Sequence, residues 1–136
     1  MYLLDTNVVS ETRRLRPHGA VLAWLGSVPG DRLYISAVTL GELQAGVEIT
    51  RAQDALRAAA IEAWVDDGLR LWNVLAMDAA TFRVWARLMH GRSETLVIDA
   101  MIAATAVVHG LTVATRNIRD FAPFAVETIN PFGAMS

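Results

Sequence analysis

The amino-terminal stretch MYLLDTN constrains the fold more than any other part of the chain. The apolar residues 2–4 run directly into the polar side chains of Asp5, Thr6 and Asn7. A short apolar run that ends in polar residues is typical of a buried strand in a parallel sheet. Ligands of such sheets bind beyond the carboxyl ends of the strands. We therefore expect Asp5 at the functional edge of a sheet, with Thr6 and Asn7 opening the next helix.

The rest of the chain alternates between further strand patterns and helical patterns. Strands are predicted at residues 32–36, 69–75, 111–114 and 126–129. Helices are predicted at residues 7–14, 18–25, 37–49, 51–65, 79–90 and 98–108. This alternation predicts an α/β fold with a central, mostly parallel sheet of four to five strands flanked by helices. The length of 136 residues suits a single domain over residues 1–136.

The composition excludes several kinds of chemistry. The chain has no Cys, which excludes thiol nucleophiles, disulfides and thiolate metal sites. All 12 basic residues are Arg, so no Lys is present for a Walker-type phosphate loop or a Schiff base. The net charge of −2 gives no global positive field for nucleic acid, so local Arg clusters or cations must attract such a substrate. Without an apolar run of membrane-spanning length or a basic leader, we expect a cytoplasmic protein with no membrane contact.

Several polar residues are predicted to meet Asp5 at the same edge of the sheet. Glu42 lies on the helix after the second strand, and Asp99 begins the helix before the fourth strand. Thr115 and Asn117 follow the fourth strand. Converging carboxylates repel one another, and a hard cation such as Mg²⁺ or Mn²⁺ relieves that repulsion through oxygen ligands. Such a metal ion activates water for phosphodiester hydrolysis without a protein nucleophile.

Each acid also has a simpler interpretation. Asp5 could be a turn residue, and Asp99 could complement the dipole of its helix. Thr39 and Glu42 have the spacing of a helix capping box, in which Glu42 accepts a hydrogen bond from a backbone N–H. Only the combination of the three acids at one edge favours a metal site.

Four segments together resemble the PIN-domain nucleases. They are LLDTNV at 3–8, SAVTLGEL at 36–43, DAMIAATA at 99–106 and VATRNIRDF at 113–121. The match is closest to the VapC toxins of type II toxin–antitoxin systems, including the FitB-like branch. The resemblance covers nearly the whole chain and implies a PIN-like three-layer fold. It also implies that Asp5, Glu42 and Asp99 are catalytic residues and the ligands of the metal ion.

The resemblance further implies a Mg²⁺-dependent endoribonuclease, with Mn²⁺ as an alternative metal, that a cognate VapB-type antitoxin inhibits. The implied substrate is structured RNA such as tRNA or ribosomal RNA. A homodimer is also implied, and operator DNA would be reached only through the antitoxin. The family often has a fourth acid where this chain has Asn117. Asn117 is therefore counted with the catalytic residues, since its amide can hold a metal-bound water although it carries no charge. Nearby Asp120 is interpreted as a local turn residue.

Further residues are candidates for substrate binding and for support of the acids. Arg116 and Arg119 flank Asn117, and the planar guanidinium group of Arg binds phosphate well. With Thr115 they form the predicted substrate-binding set, while Thr6 and Asn7 are expected to hydrogen-bond the metal-bound acids. The four tryptophans lie in apolar segments and are expected mainly in the core, although an exposed Trp would suit an antitoxin groove.

Three alternative functions compete with this hypothesis. A metal-independent ribonuclease would use two of the histidines His18, His90 and His109 as acid and base and would leave a cyclic phosphate. An aspartyl-phosphate phosphatase would need a second acid two residues after Asp5 and a Lys, but the chain has Asn7 and no Lys. A catalytically inactive PIN-like domain that binds RNA or an antitoxin without cleaving stays open because of Asn117.

Overall fold

The computed structural model describes residues 1–133, which form a parallel five-stranded sheet flanked by helices. The strands are β1 (Tyr2–Leu4), β2 (Leu33–Ser36), β3 (Asn73–Leu75), β4 (Thr112–Ala114) and β5 (Thr128–Ile129). Their order in the sheet is β3-β2-β1-β4-β5, and every neighbouring pair is parallel. The α/β prediction is therefore confirmed, with a sheet that is wholly rather than mostly parallel.

Seven α-helices connect these strands within residues 1–133. They are α1 (Thr6–Glu11), α2 (Gly19–Ser27), α3 (Ala37–Arg51), α4 (Ala55–Leu71), α5 (Ala79–Met89), α6 (Val97–His109) and α7 (Ile118–Phe121). Short 3-10 turns occur at Gly30–Arg32, Glu94–Leu96 and Ala122–Phe124. Over the same residues, each helix is too short or too polar to span a lipid bilayer.

A hydrophobic core covers each face of the sheet. Successive side chains of a strand point to opposite faces, and Leu3 and Leu4 of β1 accordingly join different cores. The Leu4 core packs against α1 to α4, and the Leu3 core packs mainly against α5, α6 and the region after β4. The tryptophans are half-buried and pack against these cores, as the sequence predicts; they are Trp24, Trp64 and Trp72 on the Leu4 side and Trp85 on the Leu3 side.

The strand order places the chain's polar motifs side by side. β1 lies at the centre of the sheet between β2 and β4, so the carboxyl ends of these three strands are neighbours. Asp5 and Thr115 come directly after β1 and β4, Ser36 is the last residue of β2, and all three are buried. The Asp5 N–H extends the pairing by donating to the Ala114 carbonyl at 2.9 Å. The predicted functional edge is therefore a real edge of the sheet.

The structure corrects the predicted strand at residues 69–75. Helix α4 continues to Leu71, and only Asn73–Leu75 is a strand. Leu69 and Leu71 are 50% and 81% exposed, so their apolar character does not reflect a buried strand. The helix ends where the indole of Trp72 folds back over Gly68, whose carbonyl accepts a hydrogen bond from the Trp72 N–H at 2.7 Å.

Residues 117–133 contain core residues that the sequence patterns do not predict. Phe132 follows strand β5, is only 5% exposed and belongs to the Leu4 core. The Asn130 side chain accepts a hydrogen bond from the Phe132 N–H at 2.9 Å and so fixes this turn. Helix α7 was not predicted; its last residue, Phe121, is fully buried in the Leu3 core.

Candidate active site

Asp5 is the most deeply held acid of the candidate site. It is 6% exposed and precedes α1, where its Oδ1 accepts a hydrogen bond from the Thr6 N–H at 2.8 Å. Its Oδ2 accepts hydrogen bonds from the Thr115 hydroxyl at 2.7 Å and the Asn7 amide at 3.3 Å. Burial raises the pKa of Asp5, because the loss of water outweighs the three hydrogen bonds that favour the ionised form.

Asn7 and Thr115 also tie the loop after β4 to the start of α1. The Thr115 hydroxyl accepts a hydrogen bond from the Asn117 N–H at 2.9 Å. The Asn7 carbonyl oxygen accepts one from the Arg116 N–H at 3.2 Å, while its NH₂ group lies 3.5 Å from the Thr115 hydroxyl. The two side chains thus fix the position of the Asp5 carboxylate relative to residues 115–117.

Glu42 reaches the same edge from helix α3. Its Oε1 accepts a short hydrogen bond, 2.6 Å, from the Thr6 hydroxyl, which also lies 3.3 Å from the Thr39 hydroxyl. The capping-box interpretation of Thr39 and Glu42 is wrong, because α3 begins at Ala37 and Ser36 is its cap, accepting from the Val38 N–H at 3.1 Å. The Glu42 carboxylate is therefore directed towards α1 instead of the start of its own helix.

Asp99 lies in the first turn of α6 and completes the predicted set of three acids. Its pKa is raised to about 6, first by burial and then by the negative charges of Asp5, Asp120 and Glu42. These charges act on Asp99 although the four residues come from four different parts of the chain. The fold therefore brings three other carboxylates near enough to Asp99 to disfavour its ionisation.

Asp120 is the acid that the sequence interpretation missed. It was interpreted as a turn residue, but it lies in helix α7, and its charge raises the pKa of both Asp5 and Asp99. Its N–H donates to the Asn117 carbonyl at 3.0 Å, so the two residues share one helical turn. Spacing of three residues places side chains on the same side of a helix. The spacing of three residues between Asn117 and Asp120 is the sequence signal that could have identified Asp120. It is informative only if a helix follows residue 117, and that helix was not predicted.

The donor types at this edge fit a hard divalent cation. All are carboxylate or amide oxygens, the ligands that Mg²⁺ and Mn²⁺ prefer. Within residues 1–133, no group of three or more Asp, Glu or His side chains is arranged to hold a metal ion by itself. Mg²⁺ in proteins is usually held by one or two carboxylates and keeps several of its waters.

The histidines are dispersed over the fold. His18 lies between α1 and α2, where its ring meets Phe132 edge to face at 5.2 Å. His90 follows α5, and His109 ends α6, at the opposite end of that helix from Asp99. This separation gives no support to a histidine acid–base pair.

The predicted substrate-binding arginines share a recess with one of the acids, Asp120. Both Arg116 and Arg119 are exposed and border a recess of about 680 Å³. The residues that line it are Arg116, Asn117, Ile118, Arg119, Asp120 and Asn130. Thr115, the third member of the predicted set, is fully buried and contacts Asp5 instead of the recess.

Comparison with known families decides where the chain belongs. The PIN domain family matches residues 2–126. This chain is a member of the PIN domain family. The resemblance expected from the four sequence motifs is therefore confirmed.

Individual relatives place this PIN domain near the FitB-like branch of the VapC toxins. The chain is 37% identical to VapC ribonuclease Y4jK of Sinorhizobium fredii, over 97% of this chain and 98% of that protein. It is 35% identical to toxin FitB of Neisseria gonorrhoeae, over 97% of this chain and 99% of that protein. The crystal structure of FitAcB from N. gonorrhoeae superposes with a TM-score of 0.85 at 34% identity, covering 97% of this chain and 99% of that one.

Proposed function

We propose that this PIN domain is a Mg²⁺-dependent endoribonuclease, the toxin of a type II toxin–antitoxin module that acts in the cytoplasm. The observation that carries the proposal is the environment of Asp99, whose pKa is raised to about 6 first by burial and then by the charges of Asp5, Asp120 and Glu42. A fold that gathers such charges needs a cation or protons to neutralise them. The identity to a VapC ribonuclease and to toxin FitB supports the same conclusion.

Asp5, Glu42 and Asp99 are the proposed Mg²⁺ ligands, and Mn²⁺ would suit the same oxygens. These residues would hold a Mg²⁺ ion whose chemistry, when bound, would be to activate water and to stabilise negative charge on the phosphoryl group. Thr115 and Asn7 fix the orientation of Asp5, and Thr6 fixes that of Glu42. Asn117 is proposed to hold a water through its amide.

Asp120 is proposed to supply the charge that Asn117 lacks. The two residues lie in one turn of chain, and the Asp120 charge already acts on Asp5 and Asp99. Arg116 and Arg119 are proposed to bind the RNA backbone next to these acids, since a guanidinium group pairs well with phosphate.

A partner protein is proposed to lie along a groove between α1, α3 and α4. Two adjoining recesses of about 250 Å³ and 290 Å³ share Arg13 and Ile61. The first reaches Thr6 and Glu42, and the second reaches Trp64. A VapB-type antitoxin segment in this groove would run from Trp64 to the acids and cover Glu42. We also propose a homodimer that contacts operator DNA only through the antitoxin, in keeping with the net charge of −2.

The proposal is tested by mapping RNA 5′ ends after expression of the toxin without its antitoxin. Cleavage is expected at discrete positions in structured RNA such as tRNA or ribosomal RNA. Purified protein should cleave with Mg²⁺ and not with a chelator, and Asp5→Asn and Asp99→Asn should abolish cleavage. Undiminished cleavage by either variant, with an unchanged circular dichroism spectrum, would refute the role of the acids.

The chemistry of the products separates the metal mechanism from its alternatives. Attack by a metal-activated water leaves no cyclic phosphate, whereas a 2′,3′-cyclic phosphate that forms in chelator would indicate histidine catalysis. A second candidate function is binding of RNA or an antitoxin without cleavage. It is supported by Asn117, which stands at a position that is often acidic in the family. That function is indicated if the wild-type chain binds RNA but cleaves no more than Asp5→Asn does.

A further inference from the structure

Arg116 is held by an aromatic ring from the far end of the chain. Its guanidinium carbon lies 4.2 Å from the centroid of the Phe132 ring, which is close range for a cation–π contact. Phe132 is only 5% exposed, and the His18 ring packs edge to face against it at 5.2 Å. The ring is therefore a fixed support for an otherwise exposed side chain.

Both ends of Arg116 are fixed in this way. Its backbone N–H donates to Asn7 at 3.2 Å, while its guanidinium group lies over Phe132. Phe132 is itself anchored in the fold. The Asn130 side chain accepts a hydrogen bond from the Phe132 N–H, and the preceding strand β5 pairs with β4. A guanidinium group held in position loses less conformational freedom when it binds a ligand.

The recess beside Arg116 has the chemistry of a phosphate site next to the acids. Its charged lining residues are Arg116, Arg119 and Asp120, and the amides of Asn117 and Asn130 add neutral donors. Two guanidinium groups with neighbouring amides suit a phosphodiester, which accepts hydrogen bonds and carries one negative charge. Asp120 opposes such a ligand through its charge, so a cation at the carboxylates would strengthen binding.

We propose that this recess binds an RNA backbone phosphate beside the cleaved bond, and that Phe132 is the positioning residue for Arg116. The inference rests on the proposed ribonuclease function. It adds a position for the substrate and gives the segment after β5 the role of supporting Arg116. Phe132 contacts no substrate; it acts through the guanidinium group that it supports.

Binding is measured by fluorescence anisotropy with a fluorescein-labelled single-stranded RNA of mixed sequence. All proteins carry Asp99→Asn so that the RNA stays intact, and Mg²⁺ is present. Arg116→Gln is expected to raise Kd about fivefold and to lower the slope of log Kd against log salt by about 0.7, the value for one phosphate contact on a single strand. Phe132→Leu keeps the apolar bulk without the ring and is expected to raise Kd about threefold. Phe132→Tyr should restore wild-type binding.

A double-mutant cycle separates positioning from a general structural role. In the Arg116→Gln background, Phe132→Leu is expected to cause no further loss of affinity. Arg119 provides the matched control, because it borders the same recess but lies over no aromatic ring in the part of the chain that the structure describes. In the Arg119→Gln background, Phe132→Leu should still raise Kd about threefold.

Kinetics on proteins with Asp99 intact add a second test. Phe132→Leu should raise KM about threefold and leave kcat within a factor of about two, because the acids are untouched. The inference would be overturned if Phe132→Leu raised Kd equally with Arg116 intact and in the Arg116→Gln background. A fall in kcat without a change in KM would also overturn it. If the wild-type chain cleaves no RNA, the proposed function fails, and the binding cycle still decides the role of Phe132.

Discussion

The Thr115 hydroxyl donates a 2.7 Å hydrogen bond to the Asp5 carboxylate across a sequence separation of 110 residues. Both residues are buried, and each directly follows a strand of the same parallel sheet. This contact joins the first strand of the chain to its fourth at the candidate active site. It also provides the closest of the side-chain donors that stabilise the negative charge of Asp5.

Replacing Thr115 by Val should therefore destabilise the protein. The Asp5 carboxylate would lose its shortest hydrogen bond, and hydrogen bonds to charged groups contribute about 1.5–3 kcal/mol. We expect the free energy of unfolding in urea at neutral pH to fall by an amount in this range. Thr115→Ser keeps the hydroxyl and should lose less stability. Equal stability of Thr115→Val and the wild type would show that the hydrogen bond is not formed.

Replacing Thr6 by Val should weaken metal binding without unfolding the protein. The Thr6 hydroxyl donates to Glu42 at 2.6 Å and orients that carboxylate. Groups that orient metal ligands typically contribute 10- to 100-fold to metal affinity, and we expect about tenfold here because Glu42 is exposed. Calorimetric titration with Mg²⁺ measures the change, and Thr6→Ser is the matched control. An unchanged Mg²⁺ affinity in Thr6→Val would show either that Glu42 does not bind the metal ion or that Thr6 does not orient Glu42 for binding.

Asp99→Asn should stabilise the metal-free protein at alkaline pH. The pKa of Asp99 is about 6 in the fold, against 3.8 for an unperturbed aspartate, so its ionisation is disfavoured in the folded state. This penalty is absent when pH is below 3.8, increases through about 6 and is complete above it. The melting temperature of Asp99→Asn in chelator should exceed that of the wild type at pH 8, and the difference should disappear near pH 4.

A constant difference in melting temperature across this pH range would contradict the raised pKa of Asp99 in the folded state. Added Mg²⁺ should reduce the difference at pH 8, because the cation binds the wild-type carboxylates and stabilises the folded state by mass action.

Gly68→Ala should destabilise helix α4 strongly. A Cβ atom at this position would lie 2.2 Å from the Trp72 indole, so the ring would have to leave its packing against Trp64 and the Leu4 core. We expect a loss of about 2–3 kcal/mol in the free energy of unfolding. Gly46→Ala in α3 has open space around its Cβ and should instead raise the free energy of unfolding by about 0.5–1 kcal/mol. Urea unfolding compares the two variants, and a neutral Gly68→Ala would show that Trp72 moves freely.

The sequence predicted the fold class because strand and helix patterns are local. Asp5 was placed correctly at the sheet edge, since an acid that directly follows a buried strand can lie nowhere else. Glu42 and Asp99 were harder, because they lie on helices and only the packing of α3 and α6 decides which way they face. Their proximity to Asp5 is seen in the structure, while their roles as metal ligands stay predictions.

The features that the sequence analysis missed all depend on tertiary contacts. Helix α7 has four residues and little local signal, so Asp120 was assigned to a turn instead of the acidic group. The burial of Phe132 depends on a pocket built by the opposite end of the chain, and the helical state of Leu69 and Leu71 depends on Trp72 packing over Gly68. In each case a distant residue, not the local pattern, determines the conformation.

The central position of β1 has a consequence for the order of biosynthesis. On the ribosome, β1 and β2 emerge first, and β4 and β5 are translated after β3 and helix α6. A nascent polypeptide that ends between residues 99 and 112 contains Asp5, Glu42 and Asp99 but lacks β4, the strand that pairs with the second side of β1. The Thr115 hydroxyl that holds the Asp5 carboxylate is therefore added only after all three acids have been synthesised.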